Sequence, residues 1–193
     1  WRRAALPGSP DTSGRKRLAG QLWFLQAAKQ RGVQQFLGFL NSPPVQFTNN
    51  GKAFATKGNC NINANRYAEL SAYLAQVVAD VQASTGVAFD YISPVNEPQW
   101  DWSDGGQEGC PYNNEQLAGL VKTLSATFVE KQLDTRILVT EAGKINYLYE
   151  PHDKPDKGEQ VRTFFGKGSA SYLGGLPNVA HRIAGHSYFT TSP

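Results

Sequence analysis

Phe89-Asp90-Tyr91-Ile92-Ser93-Pro94-Val95-Asn96-Glu97-Pro98-Gln99-Trp100-Asp101-Trp102 is the stretch from which the rest of the chain can be read. Phe89, Tyr91 and Ile92 form a short apolar, aromatic run of the kind that makes a buried strand. Pro94 and Pro98 forbid a regular strand or helix through the residues that follow. Asn96 and Glu97, between the prolines, are therefore held where a strand ends. A carboxylate at that position is fixed by a buried element yet faces a cleft, which is where a general acid is wanted. Trp100 and Trp102 flank Asp101; their indoles suit the apolar faces of sugar rings and would desolvate the acid. The same residues also read as a proline-rich turn whose aromatics cap a core, and residue chemistry alone leaves both readings open.

Working outward, the flanking segments alternate between two periodicities. Upstream, Leu22, Trp23, Leu25, Ala28 and Val33 lie roughly on one helical face, with Gly32 as a stop. Phe36–Leu40 is a short apolar run, read as a strand and broken by Asn41-Ser42-Pro43-Pro44. Val45–Asn65 is a polar loop containing Cys60, and loops of that length are usually functional or mobile. Tyr67, Leu70, Tyr73, Leu74, Val77, Val78 and Val81 then repeat every 3.6 residues, so residues 63–83 are predicted helical, ending at Gly86. Downstream, Asn114 is the expected cap of a helix over residues 115–132 with Leu117, Leu120, Val121, Leu124 and Phe128 on its buried face. Arg136–Val139 is the next strand, closed by Thr140-Glu141-Ala142-Gly143. A loop and short helix follow, and Val179–Phe189 is the last strand, with His186 and Tyr188 near its end.

Strand, helix, strand, helix, strand, helix region, strand is the pattern of a parallel sheet. The strand ends carry Asn41, Asn96, Glu97, Glu141, His186 and Tyr188. Polar side chains gathered at one end of successive parallel strands point to a barrel-type site; a small open α/β sheet is the alternative. No glycine-rich dinucleotide fingerprint, phosphate loop or G-x-S-x-G elbow lies at any strand–helix junction, so no cofactor is expected.

Other classes are disfavoured. A net charge of +3 in 193 residues is mild, and no basic stripe with interleaved aromatics follows the early Arg2, Arg3, Arg15, Lys16 and Arg17, so nucleic acid is not an expected partner. No apolar run approaches the roughly 20 residues of a membrane span, and no specific protein partner is expected. The three histidines, His152, His181 and His186, show no metal-ligand spacing, and Asp101 with Asp104 lacks the spaced oxygens of a calcium loop. The two cysteines, Cys60 and Cys110, permit one disulfide if their Cα atoms come within about 7 Å. Residues 1–20 hold arginines with no apolar stretch behind them, so no signal peptide is read there.

Ser93-Pro94-Val95-Asn96-Glu97-Pro98-Gln99-Trp100, with Gln107-Glu108-Gly109-Cys110-Pro111 after it, resembles glycoside hydrolase family 30 and within it the endo-β-1,6-galactanase-like group. The resemblance implies an α/β fold, a partial (β/α)8 TIM barrel of about four βα units, matching the family's strands three to six. It further implies that residues 1–193 are an incomplete catalytic domain, without the first two and last two strands or the C-terminal β-domain. A full barrel takes roughly 250 residues. By this likeness Glu97 is the general acid/base and Asn96 contacts a sugar hydroxyl, while Asn41 in the NSPP segment and His186 with Tyr188 in the HSY segment line the cleft. The nucleophilic Glu is expected on a strand beyond Pro193. Glu141 is then a sugar contact, a group supporting the site, or a structural carboxylate. The expected activity is retaining hydrolysis of a polysaccharide, β-1,6-galactan foremost, with an inactive carbohydrate-binding remnant as the alternative. Relatives that act on glucosylceramide, xylan or β-1,6-glucan keep the sugar open. The resemblance implies secretion of the full-length parent, since the family's substrates lie outside the cell.

Overall fold

The computed structural model describes residues 12–188, with side chains from residue 20 onward. In chain order the elements are α1 (Thr12–Gln30), β1 (Leu37–Phe39), α2 (Tyr67–Thr85), β2 (Tyr91–Ser93), α3 (Asn114–Glu130), β3 (Arg136–Ala142), α4 (Asn146–Tyr149), α5 (Gln160–Phe165) and β4 (Val179–Gly185). The strands form one sheet in the order β1-β2-β3-β4, every pairing parallel, with Gly38 opposite Ile92 and Ile92 opposite Ile137. Spatial order follows chain order without reversal. A doubly wound sheet reverses at a switch point, so this is the winding of a partial (β/α) barrel of about four units and not the open sheet.

The helical faces read from the sequence make the core. Leu70, Leu74, Val78 and Val81 of α2 and Leu117, Leu120, Val121, Leu124 and Phe128 of α3 are almost wholly buried together against Ile92, Ile137 and Val139 of the strands. Each such side chain contributes roughly 1.5–3 kcal/mol by leaving water. Gly86, at φ +71, ends α2 by donating its N–H to the Gln82 carbonyl at 2.8 Å, the left-handed stop that only glycine takes without strain.

Three local readings are corrected. Helix α1 starts at Thr12 rather than near Leu22, and Trp23 is 58% exposed. Leu22 and Leu25 face the core, and a one-residue step turns about 100°, which carries Trp23 off that face. The cap of α3 is Asn113, not Asn114. Asn113 Oδ1 accepts from the Gln116 N–H at 2.8 Å and Gln116 Oε1 accepts from the Asn113 N–H at 3.0 Å, a reciprocal capping box. Asn113→Ala removes the bond to its side chain and leaves the Gln116 N–H without that acceptor, and it is expected to cost about 1 kcal/mol, read as a lower urea midpoint with unchanged slope. Finally, β4 ends at Gly185, so His186 and Tyr188 lie beyond the strand; Phe189, its expected end, and the basic side chains near the N-terminus lie outside the described residues.

Asn114, freed from capping, ties the loops at the sheet's C-terminal end. Its Nδ2 donates to the Gly158 carbonyl at 2.8 Å, and its Oδ1 accepts from Gln160, whose own Oε1 accepts from the Thr140 hydroxyl at 2.6 Å. Fully buried Gln99 does the same for the loop after β2, accepting from the Gly143 N–H at 3.0 Å and donating to the Lys157 carbonyl at 3.1 Å. Buried amides with both ends satisfied rigidify what they join, here the platform on which Glu97 sits.

Candidate active site

Glu97 and Glu141 share an unusual backbone. Glu97, four residues past β2, has φ +44, and Glu141, next to last in β3, has φ +55. A residue with a Cβ gives up roughly 1–2 kcal/mol in this left-handed region, so surrounding bonds must hold it there. The Glu97 N–H donates to the Glu141 carbonyl at 2.8 Å, and the Glu97 carbonyl accepts from the Trp102 indole Nε1 at 2.9 Å and the Trp100 N–H at 3.3 Å. Both glutamates are thereby turned to one side of the sheet end, with under a tenth of their surface exposed.

His186 completes the cluster. Its backbone N–H donates to the Ala142 carbonyl at 2.7 Å, which extends the β3–β4 register by one bond and brings the ring over the carboxylates. Nδ1 lies 2.6 Å from Glu97 Oε1, and Nε2 lies 3.0 Å from Glu141 Oε2. A neutral imidazole has one donor and one acceptor nitrogen. Two bonds to two carboxyls therefore need two protons in the group. Either the ring is an imidazolium between two carboxylates, or it is neutral with one glutamic acid donating to it. The two states differ by the position of one proton along a hydrogen bond.

Burial works against charging the ring, but the bonds from Glu97 and Glu141, and then their charges, outweigh it and raise the His186 pKa. A raised folded value means that the ring's stabilisation is fully present below its ordinary value of about 6.5 and is lost as pH climbs through the raised one. The edge of Tyr188 packs on the ring at 5.5 Å between centroids.

A cavity of about 330 Å³ opens in front of these groups, lined by Leu37, Phe39, Asn41, Asn96, Glu97, Gln107, Glu141, His186 and Tyr188. Of the residues singled out in the sequence, Asn41, Asn96, Glu97, Glu141, His186 and Tyr188 are brought together here, while Trp100 and Trp102 are not in its wall. Trp102 (φ +54) turns its indole inward, against Gly109, where even a Cβ would sit 2.2 Å from the ring. Its N–H donates to the Glu97 carbonyl, and the residue is half-buried. Trp100 packs edge-on to Tyr147 at 6.2 Å, with Lys144 over its ring. Gln107 escaped the sequence reading because it lies in an irregular loop with no periodicity. Leu37 and Phe39 did so because an apolar strand reads as core; alternation puts them on the face opposite Gly38, about 45% exposed.

Cys60 and Cys110 are both free thiols in this structure, so the disulfide open from the sequence is not formed in it, although the two thiols interact with each other. Among the described residues no group of three or more His, Cys, Asp and Glu side chains is arranged to hold a metal ion, and no helix is long and apolar enough to cross a membrane.

An endo-beta-1,6-galactanase of Hypocrea rufa is 29% identical over 119 residues, 61% of this chain and 25% of that protein. A conserved exported protein from Bacteroides fragilis superposes with a TM-score of 0.85 at 29% identity, over 91% of this chain and 36% of that one. The catalytic domain of GH30 xylanase C from Talaromyces cellulolyticus superposes with a TM-score of 0.63 at 21% identity, over 88% of this chain and 36% of that one, a likeness of fold. The chain thus spans between a quarter and about a third of the length of these relatives. The model of O-glycosyl hydrolase family 30 matches residues 1–193, and the chain belongs to that family.

Proposed function

We propose that this chain carries the acid/base half of the catalytic centre of a retaining endo-glycoside hydrolase that cleaves β-1,6-linked galactan side chains. The observation that carries the reading is the Glu97–His186–Glu141 cluster: a carboxyl held by its own backbone, hydrogen-bonded to an imidazole, and facing a cavity. In the first step Glu97 gives its proton to the glycosidic oxygen as the bond to the anomeric carbon breaks, and a nucleophilic carboxylate takes that carbon. In the second, Glu97, now a carboxylate, takes a proton from water, whose oxygen displaces the enzyme and restores the original configuration. The nucleophile is assigned to a segment beyond Pro193. Glu141 serves as the second anchor of His186, since its Oε2 bonds the ring nitrogen remote from Glu97. Asn96 and Asn41, on the cavity wall, are assigned to sugar hydroxyls.

The galactan assignment rests on the Hypocrea rufa relative, and secretion is supported by the exported Bacteroides fragilis one. The test is incubation of the native-length protein with β-1,6-galactan, xylan and β-1,6-glucan, following reducing ends and the anomer first released by NMR. Faster release from galactan with the β-anomer first is the expected result. Cleavage of another glycan would replace the substrate, an α-anomer would end the retaining assignment, and binding without release would favour a carbohydrate-binding remnant.

A further inference from the structure

The loops that follow β1 and β2 are laced together behind the cavity. The Ala55 N–H donates to the Trp102 carbonyl at 2.8 Å, the Gly109 N–H to the Ala53 carbonyl at 2.9 Å, and the Gly58 N–H to the Ser103 hydroxyl at 2.7 Å. At the inner end of this seam stand the two cysteines. The N–H of Asn61, next to Cys60, donates to Cys110 Sγ at 3.3 Å, so the backbone beside one cysteine holds the sulfur of the other. The two thiols also interact directly. Cys110 is 1% exposed, whereas Cys60 is only half-buried.

We propose that Cys60 and Cys110 form a reversible disulfide between these loops, closed by thiol–disulfide exchange with a low-molecular-weight disulfide such as oxidised glutathione. Exposure assigns the roles. The Cys60 thiolate attacks one sulfur of oxidised glutathione, the glutathione S–S bond breaks, and one glutathione thiolate leaves. The Cys110 thiol then gives up its proton and attacks the Cys60 sulfur of the mixed disulfide, releasing the second glutathione. Two protein thiols are oxidised, one glutathione disulfide is reduced to two thiols, and two protons pass from the protein to the products. The electrostatics support this order. The neighbouring Cys110 thiol, aided by a backbone hydrogen bond at Ile62 and the Lys157 cation, outweighs burial and lowers the Cys60 pKa, and a lower value means more thiolate at neutral pH. Burial holds Cys110 well above its ordinary value, as suits a thiol that reacts only with a partner already beside it.

The bridge would act on the backing of Glu97. Gly109, adjacent to Cys110, lies beneath the Trp102 indole, and that indole holds the Glu97 carbonyl. Fixing residue 110 to residue 60 restrains this support from the far side. The inference stands whether or not Glu97 is a catalytic acid.

The experiment takes the native-length protein, fully reduced, and exposes it to oxidised glutathione before alkylation in denaturant and peptide mass mapping. A cross-linked peptide pair carrying Cys60 and Cys110, neither alkylated, is the expected result. Cys110→Ser should stall as a glutathione adduct on Cys60, and Cys60→Ser should leave Cys110 a free thiol. The oxidised protein should also melt several degrees above the reduced one, a difference absent in both variants. A stable glutathione adduct on Cys60 in the unsubstituted protein, or both cysteines still alkylated, would overturn the proposal. Should either variant fail to fold, native-state alkylation of the unsubstituted protein decides the order of attack, since Cys60 must react well before Cys110.

Discussion

Replacing Glu97 by Gln is expected to lower turnover of β-1,6-galactan by about 10²–10⁴-fold, the usual worth of general acid–base catalysis. The amide keeps the size of the side chain and can still meet His186, but it neither donates the catalytic proton nor takes one from water. The loss depends on the substrate. An aryl glycoside with a good leaving group needs little protonation in the first step, so the formation of its glycosyl-enzyme should be much less impaired, and a burst of aryl alcohol should precede slow hydrolysis. Glu141→Gln should do milder damage to both substrates, because that carboxyl bonds the far nitrogen of His186. The measurement is steady-state and pre-steady-state hydrolysis by the native-length protein and the two variants. An unchanged rate for Glu97→Gln would remove the acid/base assignment, and a loss in Glu141→Gln equal to or above that in Glu97→Gln would make Glu141 the nucleophile candidate.

His186→Ala is expected to destabilise the protein by roughly 3 kcal/mol at pH 6, the low end for breaking a buried ion pair. The low end applies because the ring is 26% exposed and part of the interaction is screened by water. What the variant leaves behind is two carboxyls, 9% and 12% exposed at the side chain, with their shared cation removed. The pH dependence distinguishes this cause from simple lost packing against Tyr188. In the native protein the charged ring's contribution is complete below about pH 6.5 and disappears as pH rises through the raised His186 value. The stability gap between native protein and variant should therefore shrink between pH 6 and pH 9. Urea midpoints at the two pH values measure it; a gap that is the same at both would assign the loss to packing, and no gap at pH 6 would show that the ring does not join the two carboxyls in solution.

The tertiary structure also separates what distant residues do. His186 is 89 positions from Glu97 and 45 from Glu141, and nothing local in any of the three segments records that they meet. Their meeting depends on the parallel register of β2, β3 and β4, on the irregular pairing between Val139 and Ala142, and on two left-handed glutamates clasped through a main-chain bond. The fate of the tryptophans is of the same kind. The pattern Trp-Asp-Trp after a proline suits sugar stacking as well as core capping, and the Trp102 indole lies over Gly109, seven residues on, where any side chain would collide.

By itself, the sequence determined the class of the fold and the order of its parts. Burial periodicities of 3.6 and 2 are local properties of a chain, and the apolar faces of α2 and α3, the short strands around Ile92 and Ile137, and the breaks at Pro94, Pro98 and Gly86 are all written in windows shorter than 20 residues. The Asn96-Glu97-Pro98 neighbourhood likewise carries the family resemblance within a few consecutive residues, because a strand end between two prolines is a local constraint. Which of two adjacent asparagines caps α3, which face Trp23 takes, where Trp100 and Trp102 turn, and that one imidazole spans two carboxyls were decided only in three dimensions. Each depends on the position of a group far away in the chain, and hydrogen bonds near 3 Å leave no room for the one-residue uncertainty that a periodicity tolerates.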